Sequence, residues 1–206
     1  MPSFAADKAA VSSNIYTEYL YDIKLSDVKL VVVNTKGQSV GILANRLVLA
    51  DKSQVFKRMF RSELPISKAS SKSDTVICLP MLDVTDKPFQ EKPVRAMIEF
   101  MYTNSIITDL ETVGNRKQLY DLAEKYDIAC LSAVAVKGIL QKDLNVDNVF
   151  AMLDFAWKYS DKSLWQACYD YLRKNYTGCS DEVLEDAMEH GGAGVRKSIV
   201  MLLKKL

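Results

Sequence analysis

Only one histidine, His190, occurs among 206 residues. A nucleophile–histidine relay would have no other base to use. His190 stands beside the Gly191-Gly192 break near the C-terminus, a poor place to orient one. It reads as a solvated histidine at a helix end, where a cation is favoured. The four cysteines, Cys78, Cys130, Cys168 and Cys179, are scattered and form no Cys-x-x-Cys pair, so they supply neither a zinc cluster nor a redox pair. They are expected to be reduced, buried small hydrophobes. No Gly-x-x-x-x-Gly-Lys-Ser/Thr and no Gly-x-Gly-x-x-Gly occurs, which removes the usual phosphate-cradling loops.

An excess of one charge is also missing. Lys and Arg number 27 against 26 Asp and Glu, a net charge of +1. No global field draws the chain to a polyanion, and nucleic acid is not an expected partner. No apolar run approaches the ~20 residues of a membrane span, and Met1 to Ala10 lack the continuous apolar stretch of a signal peptide. The expectation is a non-catalytic protein without cofactor or metal, away from membranes, in the cytoplasm and/or nucleus.

What is present is ordinary globular composition, 49% apolar and 26% charged, enough to build a core without disulfides. Residues 1–14 are small and polar and are expected to be a disordered tail. Asn14 to Tyr21 has the spacing of a short helix. Lys29 to Asn34 is a β-branched strand, Gly37 marks a turn, and Ser39 to Leu43 completes a hairpin. Short helices follow around Leu47–Leu49 and after Ser53, a candidate N-cap. Thr75 to Leu79 reads as a third strand. Val94, Met97, Ile98, Met101 and Tyr102 then share a helix face behind Pro93. From Leu119 the periodicity is helical almost to the end. Two of its stripes are Val149, Met152, Leu153, Ala156, Trp157 and Trp165, Cys168, Tyr169, Leu172, Tyr176. Gly191 to Gly194 reads as a flexible break before a short basic amphipathic helix. The fold class is α+β, a small three-stranded sheet flanked by helices and followed by an all-α extension. One charged pair stands out. Asp27 precedes the first strand and Arg46 follows the second, so the hairpin brings them together as a structural salt bridge or a charged pocket at a partner surface.

Four stretches in fixed order resemble the BTB/POZ domains: Leu25-Ser-Asp-Val-Lys-Leu-Val-Val32, Ala44-Asn-Arg-Leu-Val-Leu-Ala50, Ser53-Gln-Val-Phe-Lys-Arg-Met-Phe60 and Phe100-Met-Tyr-Thr103. The likeness covers residues 15–140. Residues 141–190 are similar to the start of the helical BACK region, also called the 3-box. Asn148-Val-Phe-Ala-Met-Leu-Asp-Phe-Ala156 and Leu164-Trp-Gln-Ala-Cys168 carry that likeness. The arrangement resembles the C-terminal half of speckle-type POZ proteins, and residues 191–206 add the glycine break and last helix.

The resemblance implies a homodimer, with Ile15, Tyr16, Tyr19 and Leu20 in the interface. It also implies a substrate adaptor for a cullin-type ubiquitin ligase, with Phe60, Leu64 and Ile66 on the cullin-like surface. The alternative is a cullin-independent dimerisation module that recruits a transcriptional or cytoskeletal partner. Two departures bear on this. The signature histidine is Asn45 here, which hydrogen-bonds but does not titrate. Where many adaptors carry a hydrophobic-x-Glu triplet, this chain reads Leu64-Pro65-Ile66. No MATH or kelch reader is legible in these residues. The client, whose identity is unknown, is therefore expected to meet a dimer partner, a BTB or BACK surface, or sequence outside this stretch.

Overall fold

The computed structural model describes residues 16–61, 77–82 and 87–203. The chain divides into two compact units, Met1–Ser132 and Ala133–Leu206. The expected disordered tail lies outside the described residues.

In the first unit, β1 (Val28–Val33) alternates as a half-buried strand should, with Val28, Leu30 and Val32 in the core. It pairs antiparallel with β2 (Ser39–Ala44), from Val28↔Ala44 to Val33↔Ser39. Gly37 adopts φ +74° in the connecting turn, where a side chain would be strained. Asn34 Oδ1 fixes that turn by accepting from the amides of Lys36 and Gln38. β3 (Ile77–Pro80) joins β1 in parallel, giving the order β2-β1-β3. The expected three-stranded sheet is therefore present, and residues 77–79 of the expected third strand lie in β3.

α1 (Arg46–Lys52) and α2 (Gln54–Arg61) meet at Ser53. The Ser53 amide donates to Leu49 O and ends α1. Its hydroxyl accepts from the Phe56 amide at 3.2 Å, the capping role expected of it, and also donates to Tyr126 O. A preceding 3-10 turn spans only Thr17–Tyr19, shorter than the helix that spacing predicts. α3 (Glu91–Thr103) is buried on nearly every side because it packs against β1, β2, α1 and also α4 (Val113–Lys125). Ala96, Glu99 and Phe100 are thus buried together with the predicted face.

α5 (Ala129–Lys142) crosses the division between units. The second unit continues with α6 (Val149–Lys158), α7 (Lys162–Asn175), α8 (Asp181–His190) and α9 (Ala193–Leu203). Its core draws Val149, Met152, Leu153 and Ala156 from α6, Leu164, Trp165, Cys168, Tyr169 and Leu172 from α7, and Val195 from α9. These are the predicted stripes with two corrections: Trp157 is 42% exposed, and Tyr176 lies in a 3-10 turn beyond α7, partly buried against the core.

The glycine segment also departs from expectation. It is an anchored turn rather than a flexible break. Gly191 donates to Ala187 O and closes α8. Asp154 of α6 accepts from the amides of Gly192 at 2.8 Å and Val195 at 3.2 Å, capping α9 from a neighbouring helix. A Cβ on Gly194 would stand 2.5 Å from Leu153 O and 2.8 Å from Trp157 Cβ, so glycine here permits the close approach of α9 to α6. Cys168 is buried as expected, but Cys130 is exposed. No helix among the described residues is long and apolar enough to cross a membrane.

Candidate protein-interaction surface

The N-terminus of α1 is built from the hairpin end. Asn45 is its N-cap: Oδ1 accepts from the Leu47 amide at 2.9 Å. Its Nδ2 donates to Leu25 O at 2.9 Å, and its own amide donates to the Tyr102 hydroxyl at 2.7 Å. One side chain thus ties the chain before β1 to the start of α1, and its backbone ties both to the core helix. Asparagine is well suited to this because a single amide group both accepts and donates. Burial raises the Tyr102 pKa, the hydrogen bond from Asn45 opposes that rise, and the charge of Asp27 adds to it.

Asp27 and Arg46 do come together, but not as paired charges. The Asp27 carboxylate accepts from the Arg46 backbone amide at 2.7 Å. That amide is one of the unpaired donors at the start of α1, and a carboxylate at a helix N-terminus is favoured. The Arg46 guanidinium turns the other way. Its Nη2 donates to Phe60 O at 3.3 Å, at the C-terminal end of α2, and its Cζ sits 5.1 Å from the Phe60 ring centroid. Nε is buried without a hydrogen-bond partner. The expected carboxylate–guanidinium pair is therefore replaced by a helix cap on one side and an aromatic contact on the other.

Phe60 is the half-buried end of an aromatic stack. Phe56 lies 5.8 Å from it with an interplanar angle of 14°, and Tyr126 lies 4.3 Å beyond Phe56 at 6°. Phe56 and Tyr126 are buried. Burial pushes the Tyr126 pKa up to about 12. The stack holds Phe60 at the surface with little side-chain freedom to lose on binding, as an interface anchor needs. Leu64 and Ile66, expected beside it, lie outside the described residues.

The residues expected at a dimer interface are partly in view. Ile15 lies outside the described residues. The Tyr16 ring lies 5.5 Å from Lys52 Nζ at the end of α1, and Thr17 Oγ1 donates to Tyr102 O. Leu20 is half-buried and Tyr19 is 38% exposed. Three more apolar residues lie open nearby, and sequence reading did not select them: Ile23 at 77%, Leu25 at 49% and Leu47 at 71%. Leu25 is joined to the start of α1 by the Asn45 hydrogen bond. A signal for Leu47 existed, since three consecutive apolar residues on a helix cannot all face one core.

Behind this surface, Tyr21 adopts φ +61°, unusual for a bulky residue. Its hydroxyl reaches Glu99 Oε1 at 3.4 Å, and its ring lies 5.5 Å from the Arg95 guanidinium carbon. Burial, then the Glu99 charge, pushes its pKa up to about 12. Glu99 also accepts from the amides of Ile107 and Thr108 and from the Thr108 hydroxyl, at 2.7–2.8 Å, so this buried carboxylate is well satisfied. The sole histidine, exposed His190, meets Asp186 at 3.1 Å at the end of α8.

The BTB/POZ domain profile matches residues 17–144. A BTB/POZ domain-containing protein of Arabidopsis thaliana is 31% identical over 144 residues, covering 70% of this chain and 39% of that protein. BTB and MATH domain-containing protein 42 of Caenorhabditis elegans is 30% identical over 135 residues, covering 66% and 30%. The first three curated relatives are spanned over 21%, 35% and 39% of their length. The BTB domain of zebrafish PATZ1 aligns with a TM-score of 0.40 and 18% identity over 66% of this chain and 100% of that domain, a likeness too distant to add to the family match.

Proposed function

This chain belongs to the BTB/POZ domain family, and from that premise we propose that it is a homodimeric adaptor that brings a client protein to a cullin-type ubiquitin ligase. Domains of this family are in general protein-interaction modules rather than enzymes. The single observation that carries the dimer is the open apolar group Tyr19, Ile23, Leu25 and Leu47. Side chains this exposed, gathered where the chain enters β1 and α1, are what a second copy covers. Phe60, held by its stack and by Arg46, is the anchor offered to the cullin scaffold. The helices after Lys142 are a BACK-type extension on this reading. Among the described residues, Cys130 and Cys179 are free thiols, which fits a reducing cytoplasm or nucleus.

A second reading rests on Ile66. With isoleucine where a glutamate is expected, the polar half of the cullin contact is absent. The dimer then recruits a transcriptional or cytoskeletal partner without a cullin. Calorimetry against a panel of cullin N-terminal domains separates the two. The adaptor reading predicts a micromolar-or-better complex that Leu64→Asp abolishes. No heat change, from a chain that is still dimeric, rejects the ligase role. For the dimer itself, Leu47→Asp should yield a folded monomer by light scattering, because a buried unpaired carboxylate is costly.

A further inference from the structure

Both tryptophans of the chain, Trp157 and Trp165, line one cavity of about 310 Å³ in the second unit, with Ser160, Asp161, Lys162 and Lys197. The α6–α7 corner makes it. Ser160 takes φ +54°, its amide donates to Trp157 O, and the Asp161 amide donates to Ala156 O, both at 3.0 Å. This is a helix-ending motif in which serine fills the left-handed position usually given to glycine. Asp161 then caps α7 by accepting from the Leu164 amide at 2.9 Å. The corner places Trp157 at the end of one helix and Trp165 near the start of the next. The close passage of α9 at Gly194 brings Lys197 over both rings, its Nζ 5.0 Å from the Trp157 centroid and 4.9 Å from that of Trp165.

We infer that this cavity is a docking site for a client segment in which a carboxylate side chain is flanked by apolar ones. The indoles supply apolar walls, and Trp157 stands partly open to solvent, so a ligand can cover its ring. The cavity already holds an ammonium group, so a ligand cation would be repelled. A ligand anion instead meets Lys197, fixed by its two rings, and Lys162 at the first turn of α7, where the helix dipole also favours negative charge. Neither lysine is in an ion pair among the described residues. The one carboxylate of the lining, Asp161, is engaged by the α7 amide.

The inference rests on the adaptor reading for calling the ligand a client, but its test needs neither a dimer nor a cullin. Because both tryptophans are at the site, emission excited at about 295 nm reports on this cavity alone. The full chain is titrated with acetyl-Leu-Glu-Phe-amide and with the same peptide carrying Gln or Lys in place of Glu. The Glu peptide should give a saturable change with a midpoint below about 1 mM, and the Gln and Lys peptides should bind about tenfold more weakly or worse. Lys197→Gln should weaken the Glu peptide by about tenfold and leave the Gln peptide unchanged. Equal binding of the three peptides, preference for Lys, indifference to Lys197→Gln, or no saturable change would each overturn the site. The three-peptide comparison on the unaltered chain stands even if a variant fails to fold. A dimer that binds no peptide rejects the site alone, and a monomer that binds it rejects the dimer alone.

Discussion

A cation lies over aromatic rings in both units, and the two arrangements serve different ends. In the first, Arg46 covers Phe60 and donates to the carbonyl at the end of α2, while the stack behind Phe60 runs through buried Phe56 to Tyr126. In the second, Lys197 covers Trp157 and Trp165 at the mouth of an open cavity and donates to no described protein acceptor. On the two proposals above, the same pairing of charge and ring braces an anchor in one place and presents a receptor in the other. Both sets of rings run into a core, through Phe56 and Tyr126 in one and through Trp165 stacked on Tyr169 in the other. What separates them is whether the cation's hydrogen bonds are spent inside the fold and whether the outer ring stands open beside a cavity.

The largest expected contrast is in stability. Phe56→Ala removes a wholly buried ring from the middle of the first stack and should cost about 3–5 kcal/mol in denaturant unfolding. Trp157→Ala removes a larger but half-open ring and should cost about 1 kcal/mol or less. Equal costs would mean that the two aromatic groups are built alike after all.

Next in size is the response to alkali. The folded pKa of Tyr126 is raised from 10.0 to about 12 by burial. Its contribution is thus complete below pH 10 and is lost as pH rises towards 12. Thermal melts should show roughly 2 kcal/mol less stability across that window, and Tyr126→Phe should flatten this component of the slope. A variant that keeps the full slope would show that Tyr126 ionises without cost, and the stack would then be wetter than its geometry indicates.

The smallest effects sharpen the contrast between the cations. Arg46→Ala should cost about 1–2 kcal/mol through the lost ring contact and carbonyl bond. Lys197→Gln should stay within about 0.5 kcal/mol, its effect appearing in peptide binding instead.

Much of this was legible in the sequence because it is periodic. The β-branched run of β1, the Gly37 turn, the Ser53 cap and the helical stripes each follow from spacing and local chemistry, and the four family-like stretches all lie within residues 17–144, which the BTB/POZ profile matches. What escaped was set by distant partners. Asp27 looked like a partner for the Arg46 guanidinium because opposite charge is what a sequence displays, whereas the unpaired amide it satisfies is visible only once α1 is in place. Residues 191–194 read as a flexible break, although Gly194 is fixed by the helix it touches, far away in sequence. Trp157 fitted a buried stripe, yet the end of α6 leaves it open. Glu99 passed unnoticed because the four hydrogen bonds to its carboxylate come from Ile107 and Thr108 in the loop beyond α3 and from Tyr21.

Sedimentation equilibrium of the unaltered chain at tens of micromolar tests the central claim, a dimerising interaction module, most directly. The apolar group at Tyr19, Ile23, Leu25 and Leu47 predicts a mass of twice the 23.2 kDa of one chain. A single 23.2-kDa species across the whole concentration range would contradict it.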